Sequence, residues 1–272
     1  MQLPIYQVDA FEEGVFTGNP AAVVPLDQPI DEALMQRIAE ENNLSETAFT
    51  APIADAERDA PAFALRWFTP TTEVELCGHA TLAAAAALRD LGALEGETHV
   101  HFSTRSGPLT ASLGEGDEVE IDLPAAVPTG APTPDQLDAI ERALDAPVKA
   151  VFLHRYALAV LPSEEDVRRL RPREDLLRQA GIPIIATAAS DSDEVDFVSR
   201  FFAPTLGVLE DPVTGSAHCQ LVPYWAAETG HRKLRARQLS TRGGRLECEL
   251  DGERVRLAGG ARIYLRGTIE VS

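Results

Sequence analysis

The sequence predicts an α+β protein of two pseudo-symmetric domains, each a mostly antiparallel or mixed sheet around one buried central helix. The main observation is an internal repeat. Arg-Trp-Phe-Thr-Pro at 66–70 returns as Arg-Phe-Phe-Ala-Pro at 200–204, and Ser-Thr-Arg-Ser-Gly at 103–107 returns as Ser-Thr-Arg-Gly-Gly at 240–244. A period of this length is that of a domain and is too long for a solenoid.

The 272 residues are enough for two domains that each bury a hydrophobic core. The proline-rich stretch from Pro124 to Pro134 is typical of a linker. The predicted domains are therefore 1–124 and 125–272. The sequence leaves open whether the final strand, 261–272, pairs with the N-terminal domain.

Local patterns predict the elements of the first copy. Asp31 is a good N-cap for a helix that Asn42 and Asn43 end. The segment 81–88 has no polar face, as expected of a helix that is buried on all sides. Apolar residues that alternate on both sides of a glycine-rich turn predict a hairpin. The predicted elements are strands 5–9, 21–24, 45–50 and 63–68, helices 31–41 and 79–91, and hairpin strands 109–113 and 119–123.

The second copy repeats this order. Pro223 lies inside the second apolar helix and is expected to kink it. Asp251 and Gly252 form a typical hairpin turn between alternating apolar residues. The predicted elements are strands 157–161, 183–188 and 197–202, helices 163–170, 173–179 and 216–228, a hairpin through 246–250 and 255–257, and a final strand 263–271.

Charge and cysteine content limit the expected partners and location. The chain has 24 basic and 43 acidic residues, for a net charge of −19. Nucleic acid and anionic membranes require a basic face, so neither is an expected partner. The sequence starts without a basic segment followed by an apolar stretch, and its three cysteines are too few for a disulfide framework. The expected location is the cytoplasm, and the expected partner is a small molecule.

Both apolar helices begin with a small-residue turn, Cys-Gly-His-Ala at 77–80 and Thr-Gly-Ser-Ala at 214–217. Free backbone N–H groups at a helix start bind anions, and glycine lets a ligand approach closely. Facing each other across a cleft between the domains, the two turns would bind a substrate carboxylate. The alternative is that the glycines only permit a tight turn. The predicted substrate-binding residues are Gly78, Ala80, Gly215 and Ser216.

Residues that break the repeat are the candidates for catalysis. Glu46 begins an apolar strand where the alignment of the copies places Ala186, so it is either a partly buried general base or an exposed acid at a strand end. His79 lies at a helix start, where the dipole favours the neutral imidazole, so it is either a proton-transfer group or a packed histidine. Asp211 precedes the second helix start and is either a ligand-facing carboxylate or an Asp-Pro turn residue.

Other chemistries have weaker support in the sequence. Cys77, His79, His218 and Cys219 lack the usual spacing of zinc ligands, so no metal is expected. The sequence contains no Walker loop, dinucleotide-binding GxGxxG motif or GxSxG elbow. Nucleotide binding and serine-hydrolase chemistry are therefore not expected.

Six ordered motifs together resemble the phenazine-biosynthesis PhzF-like isomerase family, and the resemblance runs nearly from end to end. The motifs are Asp9–Phe11, Gly18–Ala21, Asn43–Thr47, Phe68–Pro70, Cys77–Thr81 and Asp211–Ala217. The resemblance implies the diaminopimelate-epimerase-like fold, in which two similar domains each curl a sheet around a central helix and the ligand binds between them. It also implies a homodimer that needs no metal or organic cofactor.

The characterised activity in that family isomerises trans-2,3-dihydro-3-hydroxyanthranilate, and a glutamate moves the proton from one ring carbon to another. The resemblance assigns this role to Glu46 and implies that His79 and Asp211 help to move the proton and hold the substrate. Gly78, Gly215 and Ser216 match the family's substrate contacts. The expected function is a cofactor-independent isomerase that shifts a proton in a small carboxylate-bearing substrate.

Two alternatives stay open. Related racemases and epimerases use two cysteines, one at each helix start, whereas here Cys77 has Thr214 as its counterpart. Threonine is a poor acid or base beside a thiolate, so a Cys77-dependent epimerase or dehydratase of a small amino acid is the rival. A noncatalytic ligand-binding member is the second alternative.

Overall fold

A computed structural model of the protein describes residues 1–53 and 60–271. The chain divides into two compact units. Unit 1 joins Met1–Leu123 to the segment that begins at Ala258, and unit 2 is Pro124–Leu257. Ser272, the last residue of the predicted final strand, lies outside the described residues.

Unit 1 is a mixed sheet with two helices. Its elements are β1 (Gln2–Glu12), β2 (Asn19–Pro25), α1 (Glu32–Asn42), β3 (Glu46–Pro52), β4 (Ala62–Phe68), β5 (Glu73–Val74), α2 (Gly78–Asp90), β6 (His99–Thr104), β7 (Gly107–Leu113) and β8 (Glu118–Pro124). The strands pair in the order β1-β2-β3-β4-β6-β7-β8, with β5 beside β4. The β2–β3 and β4–β6 pairs are parallel, and the other pairs on this path are antiparallel.

Helix α2 is the buried element of unit 1. Its residues from Gly78 to Leu88 are buried, and it contacts β1, β2, β3 and β7. The alanine-rich sequence explains this position, because small side chains allow several strands to approach one helix and no polar face has to reach water. Helix α1 lies further out. Its N-cap Asp31 accepts a hydrogen bond of 2.8 Å from the Ala33 N–H.

Unit 2 is also a mixed sheet with helices. Its elements are α3 (Pro134–Leu144), β9 (Ala150–Leu153), β10 (Ala157–Val160), α4 (Glu164–Arg169), α5 (Glu174–Ala180), β11 (Ile184–Ala189), β12 (Phe197–Ala203), a 3₁₀ turn (Pro204–Leu206), β13 (Val208–Asp211), α6 (Gly215–Thr229), β14 (Lys233–Gln238) and β15 (Gly244–Asp251). The successive pairs along β10-β11-β12-β14-β15 are parallel, antiparallel, parallel and antiparallel. The pairs along β2-β3-β4-β6-β7 follow the same order. Helix α6 continues as one α-helix through Pro223.

The last strand, β16 (Arg254–Glu270), is longer than the sequence indicated. Except for Val271, the predicted segments 255–257 and 263–271 belong to one 17-residue strand. Within unit 1 it runs antiparallel to β1, from the pair Gln2–Glu270 to the pair Glu12–Gly260, with two register shifts. The glycines at 259 and 260 suggest the end of a strand. They are tolerated within β16 because a strand can bend where its pairing is irregular.

The repeated pentapeptide contains an arginine that makes the same two main contacts in both units. Nε and Nη2 of Arg66 donate to the two carboxylate oxygens of Glu73, at 2.7 Å each. Arg200 donates in the same way to Glu210, at 2.7 and 2.9 Å. Each guanidinium also lies over the ring of the phenylalanine two residues further along its strand, at 5.1 and 4.9 Å from the ring centroids. The repeat therefore preserves a forked ion pair between adjacent strands.

Strand pairing corrects the alignment of Glu46 with Ala186. The two repeat arginines pair with Phe49 and Ala186, so these two residues are equivalent. Glu46 lies three residues before Phe49, and its counterpart is therefore Pro183. The prediction was wrong because the Thr-Ala dipeptides that guided it occupy different positions along the strands. The counterpart still carries no carboxylate, so Glu46 keeps its status as a residue that breaks the repeat.

Candidate active site

Glu46 and His79 lie in contact within unit 1. Nε2 of His79 is 3.1 Å from Oε2 of Glu46, and the side chains are 5% and 17% exposed. The distance is that of an ion pair, while the angle is outside the range of a good hydrogen bond. Apart from this contact, neither atom has a hydrogen-bond partner among the described residues. The two side chains are thus within proton-transfer distance of each other.

The local chain conformation explains this contact. Glu46 is the first residue of β3, and His79 is the second residue of α2. Cys77 is the N-cap of α2 and is extended, with φ −141° and ψ 109°. The Thr81 hydroxyl donates to the Cys77 carbonyl at 2.6 Å and fixes the turn. Because α2 packs against β3, the second residue of this buried helix faces the strand that carries Glu46.

The opposite nitrogen of the imidazole has two further contacts. Nδ1 of His79 is 3.2 Å from Nδ2 of Asn19 and 3.5 Å from Sγ of Cys77. The Ser45 hydroxyl in turn donates to Oδ1 of Asn19 at 3.4 Å. Asn19 and Ser45 were not among the predicted site residues. Their only sequence signal was membership of the motifs that carry the family resemblance.

Burial and neighbouring charges oppose each other at this site. Burial alone lowers the pKa of His79, but Cys77 and Glu46 both raise it, and the resulting pKa is well above the ordinary value. Burial raises the pKa of the Cys77 thiol, and the Glu46 carboxylate raises it further. Burial and the Glu46 carboxylate thus favour the protonated thiol at Cys77, whereas the contacts of His79 favour its charged form.

Glu46, Cys77 and His79 also form a cluster of possible metal ligands, with their ligand atoms within 4.8 Å of one another. However, Cys77 lies at Nδ1 of the ring and Glu46 lies at Nε2. A single zinc ion, with bonds of about 2.0 to 2.3 Å, would bind one ring nitrogen of His79. Cys77 and Glu46 would then both have to lie on the side of that nitrogen. The arrangement is therefore better suited to proton transfer along the ring than to a shared ion.

In unit 2, Asp211 is held at the end of β13. Its Oδ2 accepts a hydrogen bond of 2.5 Å from the Thr214 hydroxyl. The buried amide of Gln238 donates to the Asp211 carbonyl at 2.7 Å and accepts from the Thr214 N–H at 3.0 Å. Asp211 thus belongs to a fixed turn, and its assignment to the same reaction as Glu46 stays a prediction.

Gly215 and Ser216 are the first two residues of α6. The Ser216 hydroxyl is 3.1 Å from the phenol oxygen of Tyr156, a buried side chain that the sequence analysis did not select. Gln220 holds the backbone of Tyr156 with two hydrogen bonds, of 3.0 and 3.2 Å. Burial raises the pKa of Tyr156, so the phenol stays protonated and can donate a hydrogen bond at this helix start.

The two helix starts share one feature. In the described parts of the chain, neither N-cap side chain, Cys77 or Thr214, makes a capping hydrogen bond to a backbone N–H of its own helix. The first backbone N–H groups of a helix have no partner inside the helix. The predicted residues Gly78 and Ala80 lie at the start of α2, and Gly215 and Ser216 lie at the start of α6. Their contact with substrate stays a prediction.

Comparison with solved structures first defines the class of fold. A hydroxyproline epimerase from Agrobacterium vitis superposes with a TM-score of 0.62, over 98% of this chain and 92% of that one, at 12% sequence identity. At this identity the likeness concerns the fold alone. A PhzF-family protein from Enterococcus faecalis superposes with a TM-score of 0.91 over the full length of both chains, at 43% identity.

The sequence comparisons then identify the family. The family model described as phenazine biosynthesis-like protein matches residues 8–267. A Pseudomonas aeruginosa protein named as an uncharacterized isomerase is 46% identical over the full length of both chains. The chain therefore belongs to the PhzF-like family, and the resemblance predicted from six motifs is confirmed. No helix in the described ranges, 1–53 and 60–271, has the length and apolar character needed to cross a membrane.

Proposed function

We propose that the protein is an isomerase that moves a proton between two carbon atoms of a small carboxylate-bearing substrate, without a cofactor. Glu46 removes the proton from one carbon and returns it to the other. The observation that carries this proposal is the contact of 3.1 Å between Oε2 of Glu46 and Nε2 of the buried His79. The name of the Pseudomonas aeruginosa relative as an isomerase supports the reaction class.

The chemistry needs a carboxylate that changes its protonation state without exchanging its proton with water. When the Glu46 carboxylate takes the substrate proton, the electron pair of the broken C–H bond moves into the conjugated system of the substrate. The proton then passes from Glu46 to a second carbon, and the double bonds shift accordingly. A single residue can serve both steps because the protonated acid is screened from solvent, at 17% side-chain exposure.

The proposal assigns distinct roles to the other predicted residues. His79 stabilises the Glu46 carboxylate through Nε2 and can receive or supply a proton. The backbone at Gly78 and Ala80 and at Gly215 and Ser216 binds carboxylate oxygens of the substrate. Asp211 holds a polar group of the substrate or assists in moving the proton.

The test is Glu46→Gln, which preserves the shape of the side chain and removes its basicity. A panel of small unsaturated and hydroxylated carboxylates is incubated with the protein in ²H₂O, and NMR follows both the shift of the double bonds, which measures turnover, and any deuterium uptake at carbon. We expect turnover to fall by about 10² to 10⁴, the usual contribution of a general acid or base. Ligand binding and the unfolding free energy should stay near their wild-type values.

Glu41→Gln is the matched control, because Glu41 is an exposed glutamate on the neighbouring helix α1. It should leave turnover unchanged. Wild-type turnover in Glu46→Gln would remove the proposed role of Glu46.

One observation favours a rival function. Sγ of Cys77 lies 3.5 Å from Nδ1 of His79, close enough to transfer a proton to the ring. A Cys77-dependent epimerase or dehydratase would exchange the α-proton of a small amino acid. The same assay with Cys77→Ala separates the two functions, because only the rival loses its exchange. If the wild-type protein neither isomerises nor exchanges any compound in the panel and binding persists, the result supports the noncatalytic alternative.

A further inference from the structure

Asn19 is fully buried and contacts the imidazole on the side opposite Glu46. Its Nδ2 lies 3.2 Å from Nδ1 of His79, and its Oδ1 accepts the hydroxyl of Ser45 at 3.4 Å. Asn19 is the first residue of β2, and Ser45 immediately precedes Glu46. One amide therefore joins the segment before the proposed base to the far side of its histidine.

These contacts have a direction. A carbonyl oxygen accepts and an amide N–H donates, so a hydroxyl that donates to Oδ1 turns Nδ2 towards the ring. An amide N–H can only donate, so Nδ1 must accept. In a neutral imidazole the single proton then resides on Nε2, the nitrogen that faces Glu46.

We propose that Asn19 is a positioning residue that selects the Nε2–H tautomer of the neutral His79 ring and so places an N–H group beside the Glu46 carboxylate. The proposal rests on the proposed function, in which Glu46 exchanges a proton with the substrate. With its N–H beside Glu46, His79 stabilises the carboxylate before Glu46 takes the substrate proton and again after Glu46 has returned it. The opposite tautomer would direct a lone pair at the carboxylate and repel it.

The backbone before Asn19 is built to hold this position. Gly18 has φ +77°, and a Cβ at Gly18 would lie 2.5 Å from the Ala10 carbonyl oxygen, so only glycine fits. Asn19 itself pairs with Ala10 across β1 and β2. The preceding turn is closed by Thr17, whose hydroxyl donates to the Gly14 carbonyl at 2.8 Å and accepts from the Glu13 N–H at 3.0 Å. The amide of Asn19 is thus fixed at the backbone and at the side chain.

The other polar groups at the ring fit the same assignment. Glu46 on β3 faces Nε2, and the Cys77 thiol before α2 faces Nδ1. A protonated thiol is a donor, so both neighbours of Nδ1 can donate and the one neighbour of Nε2 accepts. Below its titration midpoint His79 is an imidazolium with a proton on both ring nitrogens, so the choice between tautomers concerns the neutral ring.

The test determines directly which nitrogen of the His79 ring is protonated, and it needs no substrate. Protein labelled with ¹⁵N-histidine is studied at a pH above the titration midpoint of His79, where the ring is neutral, and the signals of His79 are identified by their loss in His79→Gln. The two ring nitrogens of a neutral histidine differ strongly in chemical shift, so the spectrum shows which one carries the proton. We expect wild-type His79 to be protonated on Nε2 alone. A proton on Nδ1 in the wild-type protein would overturn the proposal.

Two variants change the direction of the contacts. In Asn19→Asp the carboxylate can only accept, so a proton should appear on Nδ1 and the titration midpoint of His79 should rise. Ser45→Ala removes only the hydroxyl that orients the amide, and it should give a mixture of ring states. It serves also if Asn19→Asp does not fold. Ring signals that stay at the wild-type positions in these variants would contradict the proposal.

Asn42→Asp is the control, because Asn42 donates to the Thr47 hydroxyl at 3.1 Å on the same stretch of chain. Its His79 signals should match those of the wild type. The ring signals do not depend on turnover. A wild-type rate in Glu46→Gln would therefore remove the proposed function and leave the tautomer result intact, whereas a wrong tautomer would remove only the role of Asn19.

Discussion

The position of His79 at a helix start and its charged neighbours have opposite effects on its pKa. Its place in the first turn of α2 favours the neutral ring, because the helix dipole opposes a positive charge there. Burial has the same effect, while Cys77 and Glu46 raise the pKa well above its ordinary value. The sequence argument included only the dipole. The contact of His79 with Glu46 could not be predicted from local sequence, because Glu46 is 33 positions away on strand β3.

The candidate site shows which residues a sequence can reveal. Glu46 and His79 were selected as chemically suitable residues that break the repeat, and the structure places them in contact. Asn19 and Tyr156 have equally specific contacts but were not selected, because amides and phenols occur in many unremarkable positions. Their importance depends on a partner 60 residues away in each case, His79 and Ser216.

His218 provides a prediction about stability and pH. It is fully buried, its Nδ1 donates to the Thr214 carbonyl at 2.8 Å, and its Nε2 has no hydrogen-bond partner in the described part of the chain. Burial lowers its pKa to about 4. In the unfolded chain the pKa is about 6.5, so acid protonates the unfolded state first. The contribution of neutral His218 is full above pH 6.5 and is lost as the pH falls towards 4.

The loss should amount to about 3 kcal/mol of unfolding free energy between pH 7 and pH 4. His218→Asn keeps a donor for the Thr214 carbonyl and does not titrate. Urea unfolding of both proteins at several pH values isolates the effect, because titration of carboxylates affects both alike. The wild type should lose about 3 kcal/mol more than the variant, and parallel curves would contradict the assignment.

At the scale of elements, predictions succeeded where one local pattern dominated. Helix α2, predicted at 79–91, is observed at Gly78–Asp90, because an alanine-rich run with no polar face has only one stable environment. Helix α3, which begins where the stretch assigned to the linker ends, was missed. Its capping box, Thr133 with Gln136, was a recognisable signal that the neighbouring prolines obscured.

The turn before β2 gives a second prediction. Gly18→Ala should destabilise unit 1 by roughly 2 to 4 kcal/mol, because alanine at φ +77° is strained and its Cβ would collide with the Ala10 carbonyl oxygen. Gly14 is the control in the same turn, since a Cβ there meets nothing within 4 Å. Urea unfolding should show a change below about 0.5 kcal/mol for Gly14→Ala. Equal effects of the two substitutions would refute the steric argument.

Across the whole molecule, the internal repeat preserves packing contacts rather than catalytic residues. Its conspicuous pentapeptide contributes an ion pair and a ring contact within each unit, whereas Glu46 has Pro183 as its counterpart. The internal alignment could therefore predict the equivalent strands but not the register near Glu46. Register depends on which backbone groups pair, and short matches such as Thr-Ala do not determine it.

The two repeat arginines should differ in their contribution to stability, although their main contacts are the same. If Arg66 is removed, Glu73 keeps an ion pair with Arg105. Arg200 is less exposed, with a side-chain exposure of 10% against 26%. It also donates to the carbonyl oxygens of Val167 and Leu170, at 3.4 and 2.8 Å. Its loss therefore leaves a partly buried carboxylate and two carbonyl groups without this donor.

We expect Arg200→Ala to lower the free energy of unfolding by about 3 kcal/mol, as for a disrupted buried pair, and Arg66→Ala by about 1 kcal/mol. Arg169→Ala is the control, because Arg169 forms an exposed pair with Glu165 on α4 and should contribute less than about 0.5 kcal/mol. Hydrogen exchange by mass spectrometry can assign each loss to its unit, with faster exchange in β12 and β13 for Arg200→Ala. Equal losses for the two repeat arginines would show that Arg105 does not compensate for Arg66.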